Sequence, residues 1–281
     1  MFFSGIADEA GVPVEKQIEA HKALGWTHIE MRNIPEGNFA EVSDEAFESA
    51  LAKLDAAGIR VSSFGSAIGN WARPITGDFK KDLEDLKRAV PRMQKCGCPI
   101  IRIMSWTNPD GEVSEEDWGN EALRRLRELT KIAEDGGVIL GHENCSGFFG
   151  KSPENMLRLK EEIPSDALGI IYDTGNPVGH GGDPWAWYEV CKPATVYVHI
   201  KDGRRTGDDE AKYTYPGEGD GMVREVMADL LKSGYDGGAS IEPHMAAQVH
   251  LGTEAAGQEA FDIYVEYGRR FIKLIDDVKA G

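Results

Sequence analysis

The chain has 281 residues, 41% hydrophobic and 28% charged, the balance of an ordinary globular protein. A formal net charge of −17 argues against non-specific binding to nucleic acid or to an anionic membrane, since both need a basic footprint. It does not exclude an anionic small molecule, because a few local cations decide that. No apolar run approaches the ~18 residues of a membrane span, and Met1–Gly5 lacks the basic start of a secretory signal, so the expected location is the cytoplasm. Of the four cysteines, Cys96 and Cys98 are too closely spaced for a zinc hairpin. They read as reduced thiols.

In chain order, short apolar or β-branched runs alternate with amphipathic ones. Strands are predicted at Phe2–Ala7, Thr27–Arg32, Ile59–Phe64, Ile100–Ser105, Val138–Glu143, Gly169–Asp173, Val196–Lys201 and Gly238–Glu242. Helices are predicted at Val14–Leu24, Asp44–Ala57, Asp78–Gln94, Glu115–Glu134, Pro153–Glu162, Pro184–Cys191, Met222–Lys232 and Glu254–Lys279. Ser43 and Asp44 cap the second, and Gly58 stops it. Eight strand–helix units imply a parallel sheet with right-handed crossovers. An α/β barrel runs to ~250 residues in one domain, so residues 1–281 are expected to form a single (β/α)8 TIM barrel. The first strand lacks the G-x-G-x-x-G turn of a dinucleotide-binding fold. The polar, glycine-rich stretch Lys201–Gly221 is long enough to be a lid.

In such barrels the chemistry sits at the C-terminal ends of the strands. The fifth strand ends in His142-Glu143-Asn144, the sixth in Asp173-Thr174-Gly175-Asn176, the seventh in His199-Ile200-Lys201-Asp202 and the eighth in Glu242-Pro243-His244. Each polar residue alone has an ordinary reading: Glu143 as a cap, Asp173 as a turn residue, His199 as a core histidine, Glu242 as an ion-pair partner. Four on adjacent strands suggest one shared positive partner, because polar groups ending apolar strands are costly to bury unpaired. Three carboxylates and one imidazole suit Mn²⁺, Mg²⁺ or Co²⁺, with Zn²⁺ possible. One such ion polarises a carbonyl and favours loss of a proton from the neighbouring carbon.

These four runs, with Pro216-Gly217-Glu218-Gly219-Asp220-Gly221 after the seventh strand, resemble the xylose-isomerase-like, or sugar phosphate isomerase/epimerase, barrel superfamily over nearly the whole chain. The resemblance implies one metal on Glu143, Asp173, His199 and Glu242. In the ketose epimerases of that superfamily the two glutamates exchange protons on opposite faces of the substrate, which implies Glu143 and Glu242 as the acid/base pair. This sequence departs at one place. Those epimerases carry Asp-x-x-His after the sixth strand, and here Asn176 stands there, with His180 and His244 as candidates to fill the gap.

Further substrate contacts are expected from Asn176, Lys201, His244, Arg205, Trp106, His142 and Glu30. Lys201 and His244 each follow a ligand by two residues and so share its face. The ordinary alternatives are a lysine paired with Asp202 and a surface histidine. His142 precedes Glu143 and turns away from the axis unless the strand ends there. Glu30 and Arg32 share one face of the second strand, as substrate contacts or as an internal ion pair. Arg204 and Arg205 could meet a phosphate or carboxylate. Trp71, Trp106, Phe148 and Phe149 follow catalytic-side strands and could pack on a sugar ring or simply cover the core. The leading expectation is a metal-dependent isomerase or epimerase of a sugar or keto-sugar. A lyase on the same site is its rival, dehydrating an inosose or cleaving a 3-keto-glycoside. An apurinic-endonuclease-like nuclease and a non-catalytic sugar-binding barrel rank lower. A small carbohydrate partner is expected, without nucleic acid or membrane, and a homo-oligomer is possible.

Overall fold

The computed structural model describes residues 1–207, 210–245 and 258–281, together with the backbone of Ala247–Gln248 and Thr253–Glu254, which pair as a short antiparallel ribbon. Eight parallel strands form the barrel: β1 Phe2–Gly5, β2 His28–Met31, β3 Arg60–Gly65, β4 Ile100–Ser105, β5 Ile139–Gly147, β6 Leu168–Asp173, β7 Thr195–Ile200 and β8 Gly238–Ile241. Their order is β1-β8-β7-β6-β5-β4-β3-β2, and a single parallel bridge between Ile6 and Glu30 joins the two ends of the sheet. The sequence reading and the structure therefore agree on a (β/α)8 barrel.

The surrounding helices are α1 Val14–Leu24, α2 Asp44–Ala57, α3 Phe79–Cys96, α4 Glu115–Gly136, α5 Pro153–Glu162, α6 Pro184–Cys191, α7 Val223–Lys232 and α8 Gln258–Ala280. Local chemistry sets their starts. Ser43, Asp78, Ser114, Ser152 and Asp183 each accept a backbone N–H from the first turn of α2 to α6. Gly58 ends α2 in the left-handed region at φ 72°, which a side chain adopts only with strain. Pro91 lies inside α3. The last helix begins at Gln258 rather than Glu254, because Glu254 pairs with Ala247; residues 255–257 fall outside the described set. Lys201–Gly221 is also more ordered than expected: Asp202–Gly207 and Glu210–Thr214 form an antiparallel hairpin.

Strand alternation layers the barrel interior. At the base, Ile100, Ile171 and Tyr197 pack together with Phe2, Ile139 and Val196 against them. Above, polar groups begin: Ser62 Oγ lies 2.9 Å from Ser4 Oγ and 2.8 Å from the Tyr197 hydroxyl. Gly141 provides room at this level, since a Cβ there meets Ile171 Cγ1 at 2.6 Å. The acidic residues form the next layer, at the C-terminal ends of β5 to β8. Gly141→Ala is expected to overpack the interior and cost about 1–3 kcal/mol. Thermal unfolding should report a lower midpoint with an unchanged far-ultraviolet spectrum; an unshifted midpoint would show that the layer has slack.

Candidate metal centre at the barrel mouth

Glu143 lies on β5, Asp173 ends β6, His199 lies on β7, and Glu242 follows β8 directly. All four are buried, and one ligand atom from each lies within 4.8 Å of every other. Short side-chain links hold the strand ends. Asp173 Oδ1 accepts the backbone N–H groups of Gly175 (2.8 Å) and Asn176 (2.7 Å), which leaves Oδ2 facing the cluster. Asn144 donates from Nδ2 to the Asp173 carbonyl (2.9 Å) and accepts the Asp173 N–H at Oδ1 (2.6 Å), extending the β5–β6 pairing by side chain. The Thr174 hydroxyl donates to the Lys201 carbonyl at 2.6 Å and so ties β6 to β7.

His199 is oriented from below. Its Nε2 lies 3.1 and 3.2 Å from the two Glu30 oxygens, while Nδ1 faces Glu143 Oε1 at 3.2 Å and Glu242 Oε2 at 3.9 Å. A carboxylate on the far ring nitrogen fixes the tautomer and raises the basicity of the near one, as behind metal-bound imidazoles. Positive side chains approach the same carboxylates. Lys201 Nζ lies 2.7 Å from Glu242 Oε2 and 2.9 Å from Asp173 Oδ2. Arg32 Nη1 donates to Glu242 Oε1 at 3.2 Å, and Arg102 Nη1 lies 3.6 Å from Glu143 Oε2.

The charge states follow from this competition. Burial pushes Glu143 up, but the charges of His199 and Arg102 outweigh it and bring the carboxyl down to about 2. Burial likewise opposes ionisation of Glu242, and Lys201, His244, His199 and Arg32 hold it well below the usual range. For Asp173 burial prevails, helped by Glu242 and Glu143 and resisted by Lys201, and the group rises to about 6. Burial lowers His199, yet Glu30 and Glu143 carry it well above its ordinary value. The donor set fits a divalent cation: among the described residues Glu143 Oε2 is a buried acceptor without a hydrogen bond, Asp173 Oδ2 meets only the Lys201 ammonium, and acceptors of that kind are costly to bury unsatisfied.

A cavity of about 180 Å³ opens over the cluster, lined in part by Glu143, Glu242, Asn176, Lys201, His244 and Arg102. That equals roughly six water volumes at ~30 Å³ each, which suits a small molecule. Asn176 Nδ2 donates to Glu143 Oε1 at 3.3 Å. Lys201 pairs with Asp173 and Glu242 rather than with Asp202. Asp202 instead accepts four backbone N–H groups, from Gly203, Gly217, Gly219 and Gly221. His244, at φ 51°, is held by Glu9: its Nδ1 lies 2.7 Å from Oε1, and its backbone N–H donates to Oε2 at 2.8 Å.

Four expected substrate contacts lie elsewhere. Glu30 is fully buried behind His199 and does not line the cavity; strand parity gave its face but not its depth. His142 points away from the axis into the helix layer, edge-on to Phe149, and burial lowers its ring to about 4. Trp106 is fully buried, donates from Nε1 to Asp82 at 2.8 Å and packs on Phe79. Arg205 donates to the carbonyls of Gly181 and Gly182. Arg204 likewise donates to a carbonyl, that of Glu218. Phe148 and Phe149 are buried in the core, whereas Trp71 is 45% exposed and lines the cavity. Sequence reasoning missed Arg102 and Glu9. Arg102 carried a legible signal, a charge inside the Ile-rich run of β4; Glu9 follows β1 in a turn and carried none.

Comparison with known proteins agrees with this architecture. An inosose dehydratase of Lactiplantibacillus plantarum is 25% identical over 143 residues, 46% of this chain and 47% of that protein. A 2-epi-5-epi-valiolone 7-phosphate 2-epimerase of Actinoplanes sp. is 33% identical over 149 residues, 53% and 52% of the two chains. The match thus spans about half the length of these curated relatives. A xylose isomerase-like TIM barrel protein from Mycobacterium smegmatis, solved in complex with magnesium, superposes with a TM-score of 0.73 at 19% identity, covering 99% of this chain and 97% of that one. Residues 18–264 match the family model of the xylose isomerase-like TIM barrel, and the chain belongs to that family.

Proposed function

We propose that the chain is a divalent-metal-dependent enzyme that moves a proton at the carbon beside a carbonyl of a small polyhydroxylated substrate, as an isomerase or epimerase. The observation that carries this reading is the convergence of Glu143, Asp173, His199 and Glu242 under one small cavity. These four residues would hold the cation, with Mn²⁺, Mg²⁺ or Co²⁺ favoured by the oxygen-rich set and Zn²⁺ also compatible. When bound, such an ion supplies a fixed positive charge beside the substrate oxygens on which negative charge develops. Glu143 and Glu242 both line the cavity and are ionised, so either can accept the proton from carbon and the other can stand at the opposite face. Lys201 donates to Glu242 Oε2 and would turn its remaining N–H to a substrate oxygen there. The epimerase and dehydratase named above support an activity of this class.

A second reading is a lyase, in which the same proton loss is followed by departure of a group from the next carbon. Asn176 in place of the histidine of the ketose epimerases favours it, as does His244, held by Glu9 in the cavity wall. A panel of ketoses, inososes and 3-keto-glucosides with the Mn²⁺-loaded protein in D₂O separates the two. Uptake of one deuterium without other mass change marks isomerisation, and loss of water or aglycone marks elimination. No turnover across the panel with any added metal would falsify both.

Glu143→Gln and Glu242→Gln are each expected to lower turnover by about 10²–10⁴-fold with an unchanged circular dichroism spectrum; retained turnover in both removes their proton-transfer role. Glu30→Gln is expected to weaken Mn²⁺ binding by about 10–100-fold without touching the cavity wall, and calorimetric affinity equal to wild type would show that Glu30 does not orient His199. Cation binding should also weaken as pH falls. Asp173 and His199 both have raised pKa values, so protons compete with the ion, and the dependence steepens as pH falls below about 6, where Asp173 as well as His199 holds a proton. Calorimetry between pH 8 and pH 5 in buffers of different ionisation heat reads the released protons; a pH-independent affinity counts against these ligands.

A further inference from the structure

Three cations line the cavity, and their donors are used unequally. Arg32 gives Nε to both oxygens of Asp8 (3.2 and 3.0 Å), Nη1 to Glu242 (3.2 Å) and Nη2 to Glu9 (3.4 Å). Lys201 is committed to Glu242 and Asp173. Arg102, 6% exposed, stands apart. The one hydrogen bond of its guanidinium among the described residues is a long one, Nη2 to the Ser66 carbonyl at 3.4 Å. Nη1 is 3.6 Å from Glu143 Oε2, and Nε has no partner. A guanidinium carries five N–H donors in a planar fork, and leaving them unmade in a buried wall is costly. An oxygen-bearing ligand in the cavity would complete them.

We propose that Arg102 receives a carboxylate of the substrate, so that the molecule handled here is an acidic polyhydroxylated compound rather than a neutral sugar. This inference rests on the small-substrate reading given above and names its class. A planar two-oxygen anion matches the guanidinium fork, and the charge-assisted pair gains from a dry site. A phosphoryl group fits less well. It brings nearly two negative charges and three acceptor oxygens, against one cation with donors to spare. Arg102 lies beside Glu143, so the carboxylate would sit next to the carbon from which the proton is taken.

The test compares three probes on the Mn²⁺-loaded protein by calorimetry: D-glucose, D-glucuronate, which differs from it only at C6, and D-glucose 6-phosphate. Wild type is expected to bind glucuronate about tenfold or more tighter than glucose, the size of one charge-assisted hydrogen-bonded pair. In Arg102→Gln, compared at saturating Mn²⁺, the glucuronate-to-glucose ratio should fall to about one, and Arg102→Lys, which keeps the charge but not the fork, should lie between. Equal binding of glucose and glucuronate by wild type overturns the proposal. So does a ratio that survives in Arg102→Gln, which would place the carboxylate on the cation, and so does tighter binding of the phosphate. Mn²⁺ uptake is measured first. A wild type that takes up no Mn²⁺ refutes the metal reading itself, whereas one that takes it up and treats the probes alike refutes only the carboxylate. Should Arg102→Gln fail to fold by circular dichroism, the wild-type ratio and Arg102→Lys still decide.

Discussion

Negative charge brought together out of water is the constraint on which this structure turns. Glu143, Asp173 and Glu242 crowd one end of the barrel with almost no solvent to screen them, and such a group persists only where positive charge meets it. Lys201, Arg32, Arg102 and the raised basicity of His199 supply part of that charge. Glu143 Oε2, with Arg102 Nη1 at 3.6 Å, still lacks a hydrogen bond among the described residues. The proposed affinity for a cation would thus belong to the whole mouth, set by how each strand end is held as much as by the four clustered side chains.

Much of the local sequence serves that holding. Asp173 divides its oxygens between two tasks: Oδ1 closes the turn into Asn176 and Oδ2 faces the cluster. The turn-residue reading of Asp173 is met by Oδ1, while Oδ2 stays turned to the cluster, available to the proposed cation. Asn144 and Thr174 act similarly, using side chains to continue strand pairing where the backbone diverges. The glycines of Pro216–Gly221 have an equally local cause. Their three amides converge on Asp202, joined by that of Gly203, and a Cβ on Gly219 would lie 2.3 Å from the carboxylate.

The barrel was legible in the sequence because strand and helix periodicities alternate eight times with ordinary caps and stops. The clustering of Glu143, Asp173, His199 and Glu242 was legible for a related reason: polar residues ending apolar strands reveal both position and face. Depth was not legible. Glu30 and Lys201 share the inward face in their strands, yet one lies behind His199 and the other lines the cavity. Loop residues were read least well. Trp106 and Arg205 follow strands on the expected side, but nothing in their neighbours announces that Asp82 takes the indole N–H or that two carbonyls take the guanidinium. Such partners are fixed by tertiary packing, far from the residues they bind.

One detail of the ring carries a mechanical consequence. Seven of its eight seams are laddered, while the eighth rests on one bridge, between Ile6 and Glu30. Glu30 is also the residue that grips His199, and Arg32, next on the same edge, grips Glu242. The thinnest joint in the cylinder is thus stitched by side chains that reach the acidic cluster, and a cation seated there would act as a rivet for that wall.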